Sequence, residues 1–284
     1  MAGRALLLLS VCLALGACSH KAPQVKPPDP SKTRVDELAD KLRSTKVTVR
    51  ARAAYDLGEM GPEAKSAVLE IANLLSDSSD TVRGYAADAL SKMGPAAVNA
   101  VPSLASALGD INPIVRGFSA KALAGIGAEA KDALPELIKT LRDPHPTVRG
   151  YCATALGEIT MAFRTKVPAL QRAMHGTDPK ARIKAAQELG DIEAQTKVVV
   201  SELAQALKDP KAKVRCCVIT ALGNIGGGAR SAVPALTKYL KDPDKWVQRY
   251  AADAIMKIDR SAQSNSLPPG KSFIICTYDL GTIS

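Results

Sequence analysis

The sequence predicts an all-α solenoid of about seven two-helix repeats, and three regularities predict it. An arginine returns every 33 residues, at Arg50, Arg83, Arg116, Arg149, Arg182 and Arg215, with Gln248 in the seventh slot. Leu57, Leu90, Leu123, Leu156, Leu189, Leu222 and Ile255 keep the same step, and so do Met60, Met93, Ile126, Ile159, Ile192, Ile225 and Ile258. Self-similarity at a period of about 20 to 50 residues marks a stack of like supersecondary units.

Each unit reads as two short helices. In the first unit, positions 49, 53, 57 and 60 lie at i, i+4, i+8 and i+11, so they share one face of the second helix, and that face is core. Val49, Val82, Val115, Val148, Val214 and Val247 open this helix, with Ala181 the exception. The first helix has its own apolar columns, Val68, Val101, Leu134, Val167, Val200 and Val233, then Ile71, Leu104, Leu137, Leu170, Leu203 and Leu236. A pair this short cannot bury its apolar face alone, so the units must stack. With helices about 8 to 10 Å apart, seven layers give a rod roughly 60 to 70 Å long.

Units such as "DSSDTVRGYAADALSKMG" and "DPHPTVRGYCATALGEI" resemble HEAT repeats, of the class also found in phycobilin-lyase-like proteins. The resemblance implies an Asp/Arg ladder that ties the turn of one unit to the next helix, through Asp77, Arg83, Asp110, Arg116, Asp143, Arg149, Asp209 and Arg215. Asp242 continues the aspartate column, and Gly176 breaks it, with Asp178 as a substitute. It also matches Pro102, Pro135, Pro168 and Pro234 to prolines inside the first helix, where a lost amide donor and a ring clash imply a kink. Gly58, Gly157, Gly190 and Gly223 read as close-packing or helix-ending residues.

Taken from the amino terminus, residues 1–17 read as a secretory signal, with Arg4 before an apolar run too short to span a bilayer. Leu15-Gly16-Ala17-Cys18 resembles the lipobox of bacterial lipoproteins, which implies acylation of Cys18. Ser19 then implies an outer-membrane lipoprotein facing the periplasm. Ordinary cleavage after Gly16 or Ala17 is the alternative. Residues 18–28 form a proline-rich tether, 29–259 the array of seven repeats, and 260–284 a tail or cap in which "FIICTY" reads as a short strand. Cys152 falls in a small buried column, while Cys276 is a candidate to bridge Cys216 or Cys217.

The face of the second helix that is neither core nor neighbour is the expected binding surface, because in HEAT-like arrays this helix lines the concave side. Positions 48, 52, 55 and 59 share that arc. Six of the ten aromatic residues fall on three of its columns, among them Tyr85, Phe118, Tyr151, Trp246 and Tyr250, the expected apolar anchors. Lys121, Lys184 and Arg249 would orient a partner at the margins. Rigid rings along a groove suit the anchors of a protein interface. A ladder in which each ring packs on the next is the alternative, and truncation of Phe118 or Tyr151 separates the two.

The chain is basic, with a formal net charge of +10. Most of the excess falls in units five to seven, where Lys180, Lys184, Lys213, Lys245 and Arg249 suit an anionic partner. The leading expectation is a non-enzymatic, envelope-tethered module that binds a protein or peptide, without cofactor or metal and without nucleic acid. The resemblance also admits a bilin-lyase type of enzyme, a metal-dependent hydroxylase or a DNA-binding protein. Only His20, His145 and His175 are present, with no His-Glu pair and no nucleophile elbow, and an export signal opposes bilin attachment and DNA binding. His145, in the turn "DPHP", is expected to be exposed.

Overall fold

The computed structural model describes residues 30–263. The leader, Cys18, the tether and the segment with Cys276 lie outside the described residues.

All described elements are helical. After α1 (Pro30–Lys41), the second helices of the first three units are α2 (Val47–Met60), α4 (Asp80–Met93) and α6 (Pro113–Ile126). Each is 14 residues long. Each stops at a glycine with φ near +60°, where a Cβ would be strained: Gly61, Gly94 and Gly127. A seven-residue 3-10 turn follows, and then the short first helix of the next unit: α3 (Val68–Asn73), α5 (Val101–Ala107) and α7 (Leu134–Thr140). Pro102 and Pro135 stand in the first turn of α5 and α7. The expected kink is absent there, because a first-turn amide has no intrahelical acceptor to lose.

The pattern changes where that glycine is missing. Thr160, Glu193 and Asp259 occupy its slot in units four, five and seven. Without a terminator, α8 (Pro146–Arg164) and α13 (Lys245–Gln263) run to 19 residues and α10 (Pro179–Ala206) to 28. The remaining elements are α9 (Val167–Met174), α11 (Ala212–Ile225), which stops at Gly226, and α12 (Val233–Lys238). Pro168 and Pro234 likewise start α9 and α12.

The second helices stack α2 on α4 on α6 on α8, then α11 and α13. Leu57, Leu90, Leu123, Leu156 and Leu222 are all buried along this line, each contributing about 1.5 to 3 kcal/mol. Small residues set the spacing. A Cβ on Gly58 would lie 2.8 Å from the Cα of Ala89, and one on Gly223 would lie 3.1 Å from that of Ala254.

The fifth unit is not a layer. Helix α8 packs directly on α11, and Gly157 meets Ala221 at 2.8 Å by the same measure. Helix α9 has no buried residue, and it forms a hairpin with the first half of α10. The second half of α10 returns to the array and buries Val199, Val200 and Leu203 as the first helix of unit six. Among the described residues six layers therefore stack, where seven were expected.

Side-chain chemistry explains the extrusion. The alanine that meets the preceding layer at positions 89, 122, 155, 221 and 254 is Glu188 in unit five, and a carboxylate cannot lie on a backbone at that distance. Ala181 replaces the buried valine and is exposed. Ile183, in a column that is glycine in units two to four, is 61% exposed. Asp178 does not replace the missing ladder aspartate at Gly176: Arg149 pairs with Asp209 instead, and the Asp178 carboxylate accepts the Lys180 amide of its own helix, 3.0 Å away. A Cβ added at Gly190 would meet nothing within 4 Å, so Gly190 is neither a close-packing residue nor a helix end.

Candidate functional site

The Asp/Arg columns build the frame that holds the second-helix face. Arg50 donates from Nε and Nη2 to Asp77, Arg83 to Asp110, Arg116 to Asp143 and Arg215 to Asp242, at 2.6 to 3.1 Å. Arg149 passes over unit five and takes Asp209, with Nη2 to Oδ1 at 3.0 Å. In each unit the arginine Nη1 also donates to two carbonyls of its own turn, as Arg116 does to Asp110 and Ile111. Each aspartate in turn accepts an amide two residues on, such as Asn112 N–H at Asp110. Arg50 holds the Asp77 carboxyl below the usual carboxylate range. At Asp110 and Asp242 burial raises the pKa, but the arginine hydrogen bond, the backbone amide and the arginine charge together outweigh it and the net direction is down.

On this frame the face divides into three zones. At the amino-terminal end the Tyr55 and Tyr85 rings meet edge to face, with centroids 5.9 Å apart. The Arg52 guanidinium and the Lys92 ammonium stand 5.4 Å and 5.0 Å from the Tyr55 centroid. Lys92 also pairs with Asp88 and, one layer back, with Glu59. Phe118 is half-buried, and Lys121 is 5.5 Å from its ring. Tyr85 is 41% exposed.

The middle zone is closed. Tyr151, expected as an exposed anchor, is only 8% exposed. Its ring fills the space that a side chain at Gly117 would enter, 3.4 Å from a Cβ there. Burial pushes its hydroxyl up to about 12, with Cys217 and Asp88 adding to the shift. With unit five out of the stack, Cys217 follows Tyr151 in the column and is buried as well. Lys184, expected between them, is exposed on the extruded half of α10. Glu158 accepts a hydrogen bond from Asn224 at 3.1 Å across the same junction, and burial raises its pKa against the pull of Asn224 and Lys257.

The carboxy-terminal zone is open again. Trp246 is 59% exposed, with the Arg249 guanidinium 6.0 Å from its ring, and Tyr250 is half-buried against the core. The expected anchors thus form two separate clusters rather than one continuous row. Tyr55, Arg52 and Lys92 complete the first cluster. Their signal in the sequence is the i, i+3 spacing of Arg52 and Tyr55 and the full repeat between Glu59 and Lys92.

Other candidates resolve simply. Cys152, Cys216 and Cys217 are buried thiols. His145 is half-buried at the start of α8, contrary to the expected exposure, and its Nδ1 has no hydrogen-bond partner among the described residues. No group of three His, Cys, Asp or Glu side chains among the described residues is placed to hold a metal. No described helix is long and apolar enough to cross a membrane.

The family profile of HEAT repeats matches residues 35–110, 101–175, 134–199 and 200–268. The chain belongs to the HEAT-repeat family. The matches run through 134–199, so the fifth unit is a HEAT repeat in sequence although it leaves the HEAT stack. Among solved structures, the chain is similar to an engineered protein at 25% identity, over 80% of this chain and 97% of that one, with a TM-score of 0.58. It is similar in fold to computationally designed armadillo repeat proteins for modular peptide recognition, at 20% identity, 78% and 99% coverage and a TM-score of 0.55. The complex of CpcE and CpcF of phycocyanin lyase from Nostoc sp. PCC7120 aligns at 22% identity, over 86% of this chain and 100% of that one, with a TM-score of 0.41. No curated protein matches the chain.

Proposed function

We propose that this HEAT-repeat chain is a non-enzymatic module that binds a protein or peptide, held at the bacterial envelope by acylated Cys18. The binding surface is the second-helix face, the one expected to be concave. One observation carries the reading: the solvent-facing rings, Tyr85 and Trp246 above all, lie at its two ends and have cations beside them or beside their ring partners. Rings held by neighbours lose little entropy on binding, and a cation beside each adds polar orientation. The closed middle favours an extended segment gripped at both ends. Its span is bridged by Tyr151, whose role is packing.

The test is crosslinking in native cells, followed by mild detergent extraction and identification of what is captured. A Tyr85→Ala/Phe118→Ala/Trp246→Ala triple variant should lose a discrete partner that the wild type retains, with little change in melting temperature. Retention of the same partner by the variant would place the site elsewhere. Palmitate labelling that disappears in Cys18→Ser would support the tether, and unchanged labelling would oppose it.

A further inference from the structure

The extruded fifth unit keeps half of a ladder rung. Arg182 donates from Nη1 to the carbonyls of Gly176 and Thr177, both at 3.0 Å, as every stacked arginine does to its own turn. In each stacked unit the remaining edge of the fork, Nε and Nη2, grips an aspartate of the following layer. No carboxylate among the described residues pairs with Arg182, which is exposed. Asp178, four residues away, accepts the Lys180 amide and forms no ion pair with Arg182.

The seventh slot, in the last described unit, meets its turn without an arginine. There Gln248 makes the turn contact, Nε2 to the Asp242 carbonyl at 2.7 Å, and leaves no guanidinium behind. Turn geometry alone therefore does not require an arginine. Between residues 166 and 190 the hairpin carries five cations, Lys166, Arg172, Lys180, Arg182 and Lys184, against two carboxylates, Asp178 and Glu188. Arg172, Lys180 and Lys184 are exposed on this hairpin without a carboxylate partner among the described residues, and Ile183 and Met174 are exposed apolar residues of the same hairpin. Lys166, by contrast, is answered by Glu188 at 3.9 Å.

We infer that the α9–α10 hairpin is a second docking element, distinct from the aromatic face, and that it takes an acidic segment of a partner protein whose carboxylate completes the Arg182 rung. A planar fork already held at one edge by two carbonyls loses little freedom on gripping a carboxylate. The hairpin's other exposed cations raise the positive potential that draws an acidic segment in, and Ile183, next to Arg182 in sequence, offers it apolar contact.

The probe is a fluorescein-labelled decaglutamate peptide, titrated into the full-length protein in detergent at low and at raised salt. Arg182→Gln should weaken binding at least tenfold with unchanged melting temperature, since Arg182 joins no two layers. Arg182→Lys should weaken it nearly as much, because an ammonium keeps the charge but not the fork. The Tyr85/Phe118/Trp246 triple variant should bind the peptide normally, so this element and the aromatic face fail separately. Full affinity in Arg182→Gln would overturn the inference. Full affinity in Arg182→Lys would reduce it to diffuse charge and overturn the fork. Preference for phosphatidylglycerol over phosphatidylcholine vesicles, abolished by Arg182→Gln while decaglutamate binding is not, would assign the hairpin to a lipid surface instead.

Discussion

Helix α4 and the outer half of α10 begin alike, each with a turn arginine whose Nη1 binds two carbonyls of its own loop. From there they diverge. Helix α4 lies between α2 and α6, buries Val82 and Leu90 and reaches Asp110 of the next layer. The outer half of α10 leaves Ala181 exposed and Leu189 half-exposed, and it meets no ladder aspartate. Matching the period therefore does not suffice for stacking. The unit that leaves the solenoid is the one whose residue facing the previous layer is a glutamate, Glu188, and whose own turn lacks, at Gly176, the aspartate that the preceding arginine would take.

The largest effect should come from exchanging the residues that decide entry. Ala221→Glu places the fifth unit's residue against Gly157 and should cost more than about 4 kcal/mol or abolish folding, because it combines overpacking with an unpaired buried charge. Glu188→Ala, its converse, should change stability by less than about 0.5 kcal/mol in urea unfolding, since that position is already outside the stack. The two tyrosines come next. Tyr151→Ala should cost about 3 to 5 kcal/mol, as for other buried aromatic residues, and Tyr85→Ala under about 1 kcal/mol, so thermal melting separates packing from surface.

Glycines give a change of sign. Gly157→Ala forces a Cβ onto Ala221 and should destabilise by about 1 to 3 kcal/mol. Gly190→Ala, with open space around it inside a helix, should stabilise the hairpin by about 0.5 to 1 kcal/mol. Denaturant midpoints of the two variants should therefore move in opposite directions.

The smallest effects are those of pH, and the layers differ here too. The carboxyls of Asp77, Asp110 and Asp242 lie below their ordinary range, so their stabilisation is complete above about pH 4 and is lost as pH falls through the lowered values. Glu158 has the opposite sign: burial raises its pKa, so stability falls as pH rises through the range above an ordinary glutamate. Glu158→Gln should remove that decline, and melting temperatures of both proteins across pH 4 to 7, roughly the window between an ordinary carboxylate and neutrality, will check it.

The solenoid itself was legible because a leucine, an arginine and an aspartate return at fixed steps, and burial at those columns needs no more than a 3.6-residue helix. The extrusion was also written in the chain, at Gly176, Ala181, Ile183, Glu188 and Glu193. Averaging a column over seven units hides it, since one exception reads as noise until its neighbours in space are known. The prolines misled for a related reason: their cost depends on whether a helix starts at them, and the 3-10 turns that set those starts depend on Gly61, Gly94, Gly127 and Gly226, whose positive φ the columns do not announce. The aromatic face was visible as a set of residues but not as two clusters. The missing layer brings Tyr151 next to Cys217 and removes Lys184, and burial of Tyr151 follows from its contact with Gly117.

The direct contact between units four and six is the claim on which the rest stands, and a double-mutant cycle on Arg149 and Asp209 tests it. Residues 60 apart in sequence should then show a coupling of about 1 to 3 kcal/mol in urea unfolding, as expected of a bidentate, half-shielded ion pair. Additive single variants, within about 0.3 kcal/mol, would mean that Arg149 and Asp209 do not meet and that the fifth unit lies between them.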